Sequence, residues 1–271
     1  MSDSLEPSIS FRHAMLKVIW AEQHISQLNL ALTAFANNTP HFSLKPNPKH
    51  TEGYTLYPTV NEIPIQFSLM AGDIVNNLRS ALDCAWMGLV RSSGTSKKHT
   101  IPIADNKKGL EGMIYKAPIG GAVNQAKILL VERMHSHRDI DDGGSPTLMI
   151  LNKLSNWNKH NMIGLAFGRL DMKNATIRIN DKSVLGFKDV SLVGHGPMFH
   201  YSDATSDKLN YEGEVSFDVI FDEVIGVDEH SIIPFLNQAL KYCIQSLNAF
   251  CEIFPSEHNP TFAELMTPLS R

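Results

Sequence analysis

The sequence predicts an α+β fold: a helical bundle core with a small N-terminal hairpin and an antiparallel strand region near 171–225. Three observations carry this prediction. Apolar residues recur at helical spacing over long stretches near 8–37, 69–91, 146–166 and 231–253. Between 171 and 225 the period drops to two, with Ala175, Ile177 and Ile179 alternating with Thr176 and Arg178. Residues 41–68 are rich in Pro, Tyr, Thr and Ile, a composition of short strands and turns. The chain of 271 residues reads as a single domain, with a helical part about 8–168 and 230–253.

The elements follow in order. Phe11, Met15, Val18, Ile25, Leu28, Leu32 and Phe35 mark the first helix, capped by Ser8 or Ser10 and ended by Asn37-Asn38-Thr39-Pro40. Tyr54–Tyr57 and Ile63–Phe67 read as two short strands, Pro64 suiting an edge. The second helix covers about 69–91 and stops before Ser92-Ser93-Gly94. Short helices near 108–116 and 122–135 flank the breaking Pro118-Ile119-Gly120-Gly121, and a polar loop follows at 137–144. Ser145-Pro146 opens a helix to about 166 with a capping serine and a proline in its first turn. About four antiparallel strands fill 171–225, and Ile232 through Phe250 form a last amphipathic helix before a tail from Pro255.

Composition bounds the function. Hydrophobic residues make up 43% of the chain and charged residues 19%, which is ordinary for a globular protein. With 24 basic and 28 acidic residues the net charge is -4, against a surface coated for nucleic acid but compatible with a local basic cleft. No apolar run approaches the ~20 residues that span a bilayer. The polar, acidic start lacks the pattern of a secretory signal. Cys84, Cys243 and Cys251 form no C-x-x-C, and the last two lie roughly 12 Å apart on one helix at ~1.5 Å rise per residue. A reducing cytoplasm is therefore expected, without a membrane.

The second helix carries the chemistry. At ~100° per residue, Ile74, Leu78, Ala81, Leu82, Ala85 and Leu89 share one side. Asn76, Arg79 and Asp83 form an adjacent stripe at i, i+3 and i+7. Such a stripe is most often a solvated helix face or a hydrogen-bond network between helices, and it becomes a binding surface where a second polar element converges on it. A second polar element is Asn156-Trp157-Asn158-Lys159-His160-Asn161, where a straight continuation of the helix points Asn158 and Asn161 to the apolar side. A buried asparagine needs partners, and Arg79 is a candidate. His160 beside Lys159 can act as acid or base near neutral pH, or hold phosphate. His135-x-His137 with Asp139, Asp141 and Asp142 lacks a recognised ligand frame, so no metal or cofactor is assigned.

These segments resemble a broad family of uncharacterised bacterial and phage proteins with G-D-x-x-x-N-L-R-S-A-L-D-H in one helix, F-P-I after it and N-x-D-K-H-R at a later helix end. Here the stretches are Gly72-Asp73-Ile74-Val75-Asn76-Asn77-Leu78-Arg79-Ser80-Ala81-Leu82-Asp83-Cys84, Ile101-Pro102-Ile103 and Asn156-Trp157-Asn158-Lys159-His160-Asn161. The resemblance covers about 60–165. The family's Arg and His five positions apart are also similar to the R-x4-H signature of HEPN domains, which often act as metal-independent RNases. Cys84 stands where that pattern has histidine, and a thiol near ~8.5 is a poor proton shuttle at neutral pH. Two functions follow as expectations. One is a ligand- or partner-binding module using Asn76, Asp83, Asn158 and Lys159 with Arg79 and His160, in a polar cleft between the helices at 69–91 and 146–166. The other is a HEPN-like RNase of a defence or toxin system, with Arg79 stabilising phosphate and His160 as acid and base. The resemblance implies a homodimer, with RNA or a protein as partner.

Overall fold

The structure, a computed structural model, describes residues 7–38, 42–46, 54–58, 62–95, 99–139, 141, 143–179, 182–193, 199–201, 209–221 and 230–254. Their order is α1 (Pro7–Asn38), β1 (Phe42–Pro46), β2 (Tyr54–Pro58), α2 (Ile65–Ser92), α3 (Lys107–Lys116), α4 (Val123–Lys127), α5 (Pro146–Asn158), β3 (Leu165–Ile179), β4 (Lys182–Val193), β5 (Phe199–Tyr201), β6 (Leu209–Phe221) and α6 (Ile232–Ile253). The fold class is α+β, with a helical core and small antiparallel sheets. Among the described residues no helix is long and apolar enough to cross a membrane. The chain forms two compact units. One comprises Met1–Ser26, Leu69–Ile163 and Pro234–Arg271, the other Gln27–Ser68 and Gly164–Ile233. The tail from Pro255 lies outside the described residues.

The helical unit is built from faces the periodicity marks. Phe11, Ala14, Met15, Val18, Ala21 and Ile25 of α1 are buried, as are Ile74, Leu78, Ala81, Leu82, Ala85 and Trp86 of α2. In α6, Phe235, Leu236, Ala239, Leu240, Cys243, Leu247 and Phe250 do the same, so each helix gains its stability by hiding one side from water. Caps set the shorter helices. Asn106 Oδ1 accepts the Gly109 N–H at 2.8 Å to start α3, and Ser145 Oγ accepts that of Leu148 at 3.4 Å to start α5, with Pro146 in the first turn. The helix expected over 122–135 is composite: α4 passes into a π-helical segment, Ile128–Arg133, whose end is gripped by Tyr242 of α6 donating to the Met134 carbonyl at 2.6 Å.

Two boundaries differ from expectation. The helix opened by Pro146 ends at Asn158, not near 166, and Leu165 already begins β3. The chain turns at Trp157, whose carbonyl accepts the N–H groups of His160 and Asn161 while its indole donates to the Met162 carbonyl at 3.2 Å. The segment 63–67 is not a strand. The Pro64 carbonyl accepts the Phe67 N–H, and α2 starts at Ile65, because a proline just ahead of a helix lacks only an N–H the helix cannot use.

The strand-rich unit holds two antiparallel sheets, ordered β1-β2-β5 and β4-β3-β6. The N-terminal hairpin is thus extended by a distant strand: Leu56 pairs with Phe199, and Thr55 with His200. The four strands expected over 171–225 are the long β3, β4 and β6 and the short β5, with β3 starting earlier, at Leu165. Between Lys173 and Thr176 the β3–β6 register shifts; there Asn174 has φ 48° and Gly213 φ 131°. A Cβ at Gly213 would lie 2.5 Å from the Ala175 Cα, so this bulge requires glycine for conformation and for space. Phe35 of α1 stacks on Phe167 and meets the edge of Phe67, a small aromatic core within this unit.

Candidate functional site

The polar stripe of α2 lies within the helical unit and is met by a second stripe on α5. Gly72 faces Asn158, Asn76 Oδ1 accepts the Ser155 hydroxyl at 3.2 Å, and Arg79 Nε donates to Asn152 Oδ1 at 3.1 Å. As numbers rise along α2 they fall along α5, so the two helices run antiparallel, joined by two hydrogen-bonded rungs and, at Gly72 and Asn158, a close approach. Spacings of four and three residues on α2 match spacings of three and three on α5, the geometry of two helical faces in contact. Gly72 sets how closely they approach, since a Cβ there would lie 2.5 Å from Asn158 Oδ1.

Arg79 is the charged centre of this ladder. It is only 7% exposed, and its Nη1 lies 2.5 Å from Asp83 Oδ1. At that distance the carboxylate balances the charge and is the acceptor that Nη1 meets. Asp83 Oδ1 also accepts the Ile101 N–H at 2.9 Å, so the carboxylate ties the Ile101-Pro102-Ile103 loop to α2 while its side chain stays 29% exposed. Beneath the stripe, the Cys243 thiol donates to the Leu78 carbonyl at 3.6 Å. Burial pushes that thiol up to about 12, against which the Arg79 charge works only in part.

The other sequence-selected residues fall elsewhere. Asn158 packs on Gly72, but Lys159 Nζ donates to Asn156 Oδ1 at 2.9 Å on the exposed end of α5. His160 and Asn161 are both exposed in the turn beyond Asn158. Asn161 therefore does not reach the apolar side, because the helix it was extrapolated along has ended. Arg79 joins α5 at Asn152, roughly 9 Å of helix before Asn158 at ~1.5 Å rise per residue, with two more residues to His160. Arg79 and His160 thus stand at opposite ends of the ladder. Cys84 is half-buried, and burial raises its thiol, helped by Asp83 and opposed by Lys17 and Arg91, so little thiolate forms near neutral pH. Among the described residues no three His, Cys, Asp or Glu side chains converge to hold a metal. In the 135–145 segment, His137 is buried and its backbone bridges Ala104.

Sequence reasoning missed Asn152, Ser155 and Gly72. The signal was present: Asn152, Ser155 and Asn158 recur every three residues, complementary to the stripe on α2. What this arrangement can do chemically is present a fixed guanidinium, held at Nε and charge-balanced by Asp83, to a group that accepts hydrogen bonds. No protein-family profile, curated protein or solved structure matches this chain.

Proposed function

We propose that this protein is a binding module whose specific contact is the Arg79 guanidinium with an anionic group, a carboxylate or phosphate, on a ligand or partner. The single observation behind this reading is the state of Arg79: a buried guanidinium, gripped at Nε by Asn152 and paired at Nη1 with a half-open Asp83. A buried arginine that served only to link α2 to α5 through Asn152, charge-balanced within its own helix, would often be no better than apolar side chains of the same volume. The Asn76–Ser155 bond and the close packing of Gly72 on Asn158 keep the helices at the spacing that holds Arg79 in place, and the half-open Asp83 marks the side from which a ligand enters.

Thermal unfolding of the wild type and Arg79→Lys with a panel of phosphate and carboxylate compounds tests the reading. A true ligand at a hundred times its Kd stabilises the wild type by about 2.7 kcal/mol and leaves the lysine variant unmoved. Equal responses of two folded proteins to every anion would reduce Arg79 to a structural link. The RNase reading, with His160 as acid and base, needs His160 from a second copy, since the ladder separates the two residues within one chain. RNA cleavage by a dimer, lost in both Arg79→Ala and His160→Ala, would shift the assignment there.

A further inference from the structure

A different surface of the helical unit gathers lysines around an exposed aromatic ring. Helix α3 buries Leu110 and Ile114. At ~100° per residue, Lys108, Gly112, Tyr115 and Lys116 fall on the opposite side, while Lys107, in the first turn, lies about 80° from Tyr115 on the Glu111 side. Lys107, Lys108, Tyr115 and Lys116 are all exposed, Tyr115 by 64%. Lys127 of α4 places its ammonium 4.7 Å from the Tyr115 ring centroid and 3.8 Å from Glu111. A Cβ at Gly112 would meet nothing within 4 Å, so the ground between Lys108 and Lys116 is open. From residue 104 to 128 the chain has four lysines against two carboxylates, whereas the whole protein carries -4.

Stability does not account for this arrangement. Lys107 and Lys108 occupy the first turn of α3, where no acidic residue stands and the helix dipole disfavours cations. Their charge adds to the positive end of the helix and concentrates the local potential. An exposed aromatic ring among ammonium groups is the combination that takes single-stranded nucleic acid, phosphates running along the lysines and a base stacking on the ring. A membrane surface would want a broad apolar helix face, whereas α3 buries Leu110 and Ile114 and exposes Met113 alone of its aliphatic side chains.

We infer that the Lys107, Lys108, Tyr115, Lys116 and Lys127 face of α3 and α4 binds single-stranded nucleic acid without sequence preference. The surface is independent of Arg79. Fluorescence anisotropy with labelled 20-nucleotide oligouridylate and oligothymidylate tests it on the full chain. Three to four phosphate contacts, at a slope of about -0.7 each, weaken wild-type affinity roughly 20- to 50-fold between 50 and 200 mM salt. The triple variant Lys107→Gln/Lys108→Gln/Lys116→Gln binds at least about tenfold more weakly with a flatter salt slope. Tyr115→Ala loses about tenfold through stacking. Arg79→Lys binds as the wild type does. No wild-type binding at 50 mM salt overturns the inference, as does unchanged binding by the triple variant. So does equal affinity for polyglutamate, or tighter binding to phosphatidylserine vesicles, which would make the face a general polyanion or membrane contact.

Discussion

Replacing Gly72 by alanine sets two effects of opposite sign against each other. In a helix interior the change favours folding by about 0.5–1 kcal/mol, because glycine loses more backbone freedom. The new Cβ, however, would lie 2.5 Å from Asn158 Oδ1, 2.6 Å from Nδ2 and 2.8 Å from Cγ. The amide must swing away, leaving its rotamer at a cost of about 0.5–1.5 kcal/mol and disturbing the packed helix pair, for roughly 1–3 kcal/mol altogether. Gly72→Ala is therefore expected to be neutral to about 2 kcal/mol destabilising in the wild type, and about 0.5–1 kcal/mol stabilising in Asn158→Ala. The coupling, about 1–3 kcal/mol, is read from a double-mutant cycle in urea. Tryptophan fluorescence is the natural probe, since Trp20, Trp86 and Trp157 all belong to the helical unit. Equal effects of alanine in both backgrounds, within about 0.5 kcal/mol, would refute the close approach of α2 and α5.

Four other outcomes can be checked by the same unfolding assay. Asp83→Asn keeps an oxygen for the Ile101 N–H but strips Arg79 of its counter-charge; breaking a fully buried pair costs ~3–5 kcal/mol, and the exposure of Asp83 lowers this to about 1–3. A loss under about 0.5 kcal/mol would mean the Arg79 charge is solvated. Burial holds the Cys243 thiol at about 12 instead of 9.0, so above pH 9 the unfolded chain releases a proton that the folded chain keeps. Stability then falls as pH rises, by on the order of 1.4 kcal/mol per unit, and Cys243→Ala should flatten the decline between pH 9 and 10; parallel slopes would refute this. Tyr242→Phe removes the bond to the Met134 carbonyl and should cost about 1 kcal/mol, with no change arguing that water replaces the phenol. Finally, Arg79→Met/Asp83→Asn/Asn152→Leu should fold with stability near or above the wild type while losing anion binding, since an apolar replacement is often as stable as a buried pair. Its failure to fold would assign the network to fold specification.

Much of the fold was legible because it is local. The apolar faces of α1, α2 and α6, the Ser145-Pro146 start of α5 and the alternation in β3 each follow from one stretch of chain. The misreadings occur where a short segment fits two periods. Ile63–Phe67 alternates like a strand for five residues, but Pro64 also precedes a helix start, and only the continuation through α2 decides. The pairing of β2 with β5 joins residues about 145 apart in sequence, which no local pattern encodes.

The site fails in the same way, and more instructively. The α2 stripe was visible from spacing alone, whereas its partner was sought in the asparagine-rich end of α5, where polar residues are densest. Density is the wrong criterion. Residues that must pair across helices have to recur at helical spacing, and Asn152, Ser155 and Asn158 do so while Asn156, Lys159, His160 and Asn161 follow one another into a solvated turn. This distinction bears on function as well as on fold. A histidine in the exposed turn beyond a helix can meet a second molecule but is not positioned to assist Arg79 in its own chain. Arg79, in contrast, is fixed by Asn152 and Asp83 before any ligand arrives. Preorganisation of that kind lowers the entropic cost of binding, and it supports a site that recognises an anion more directly than one that transforms it.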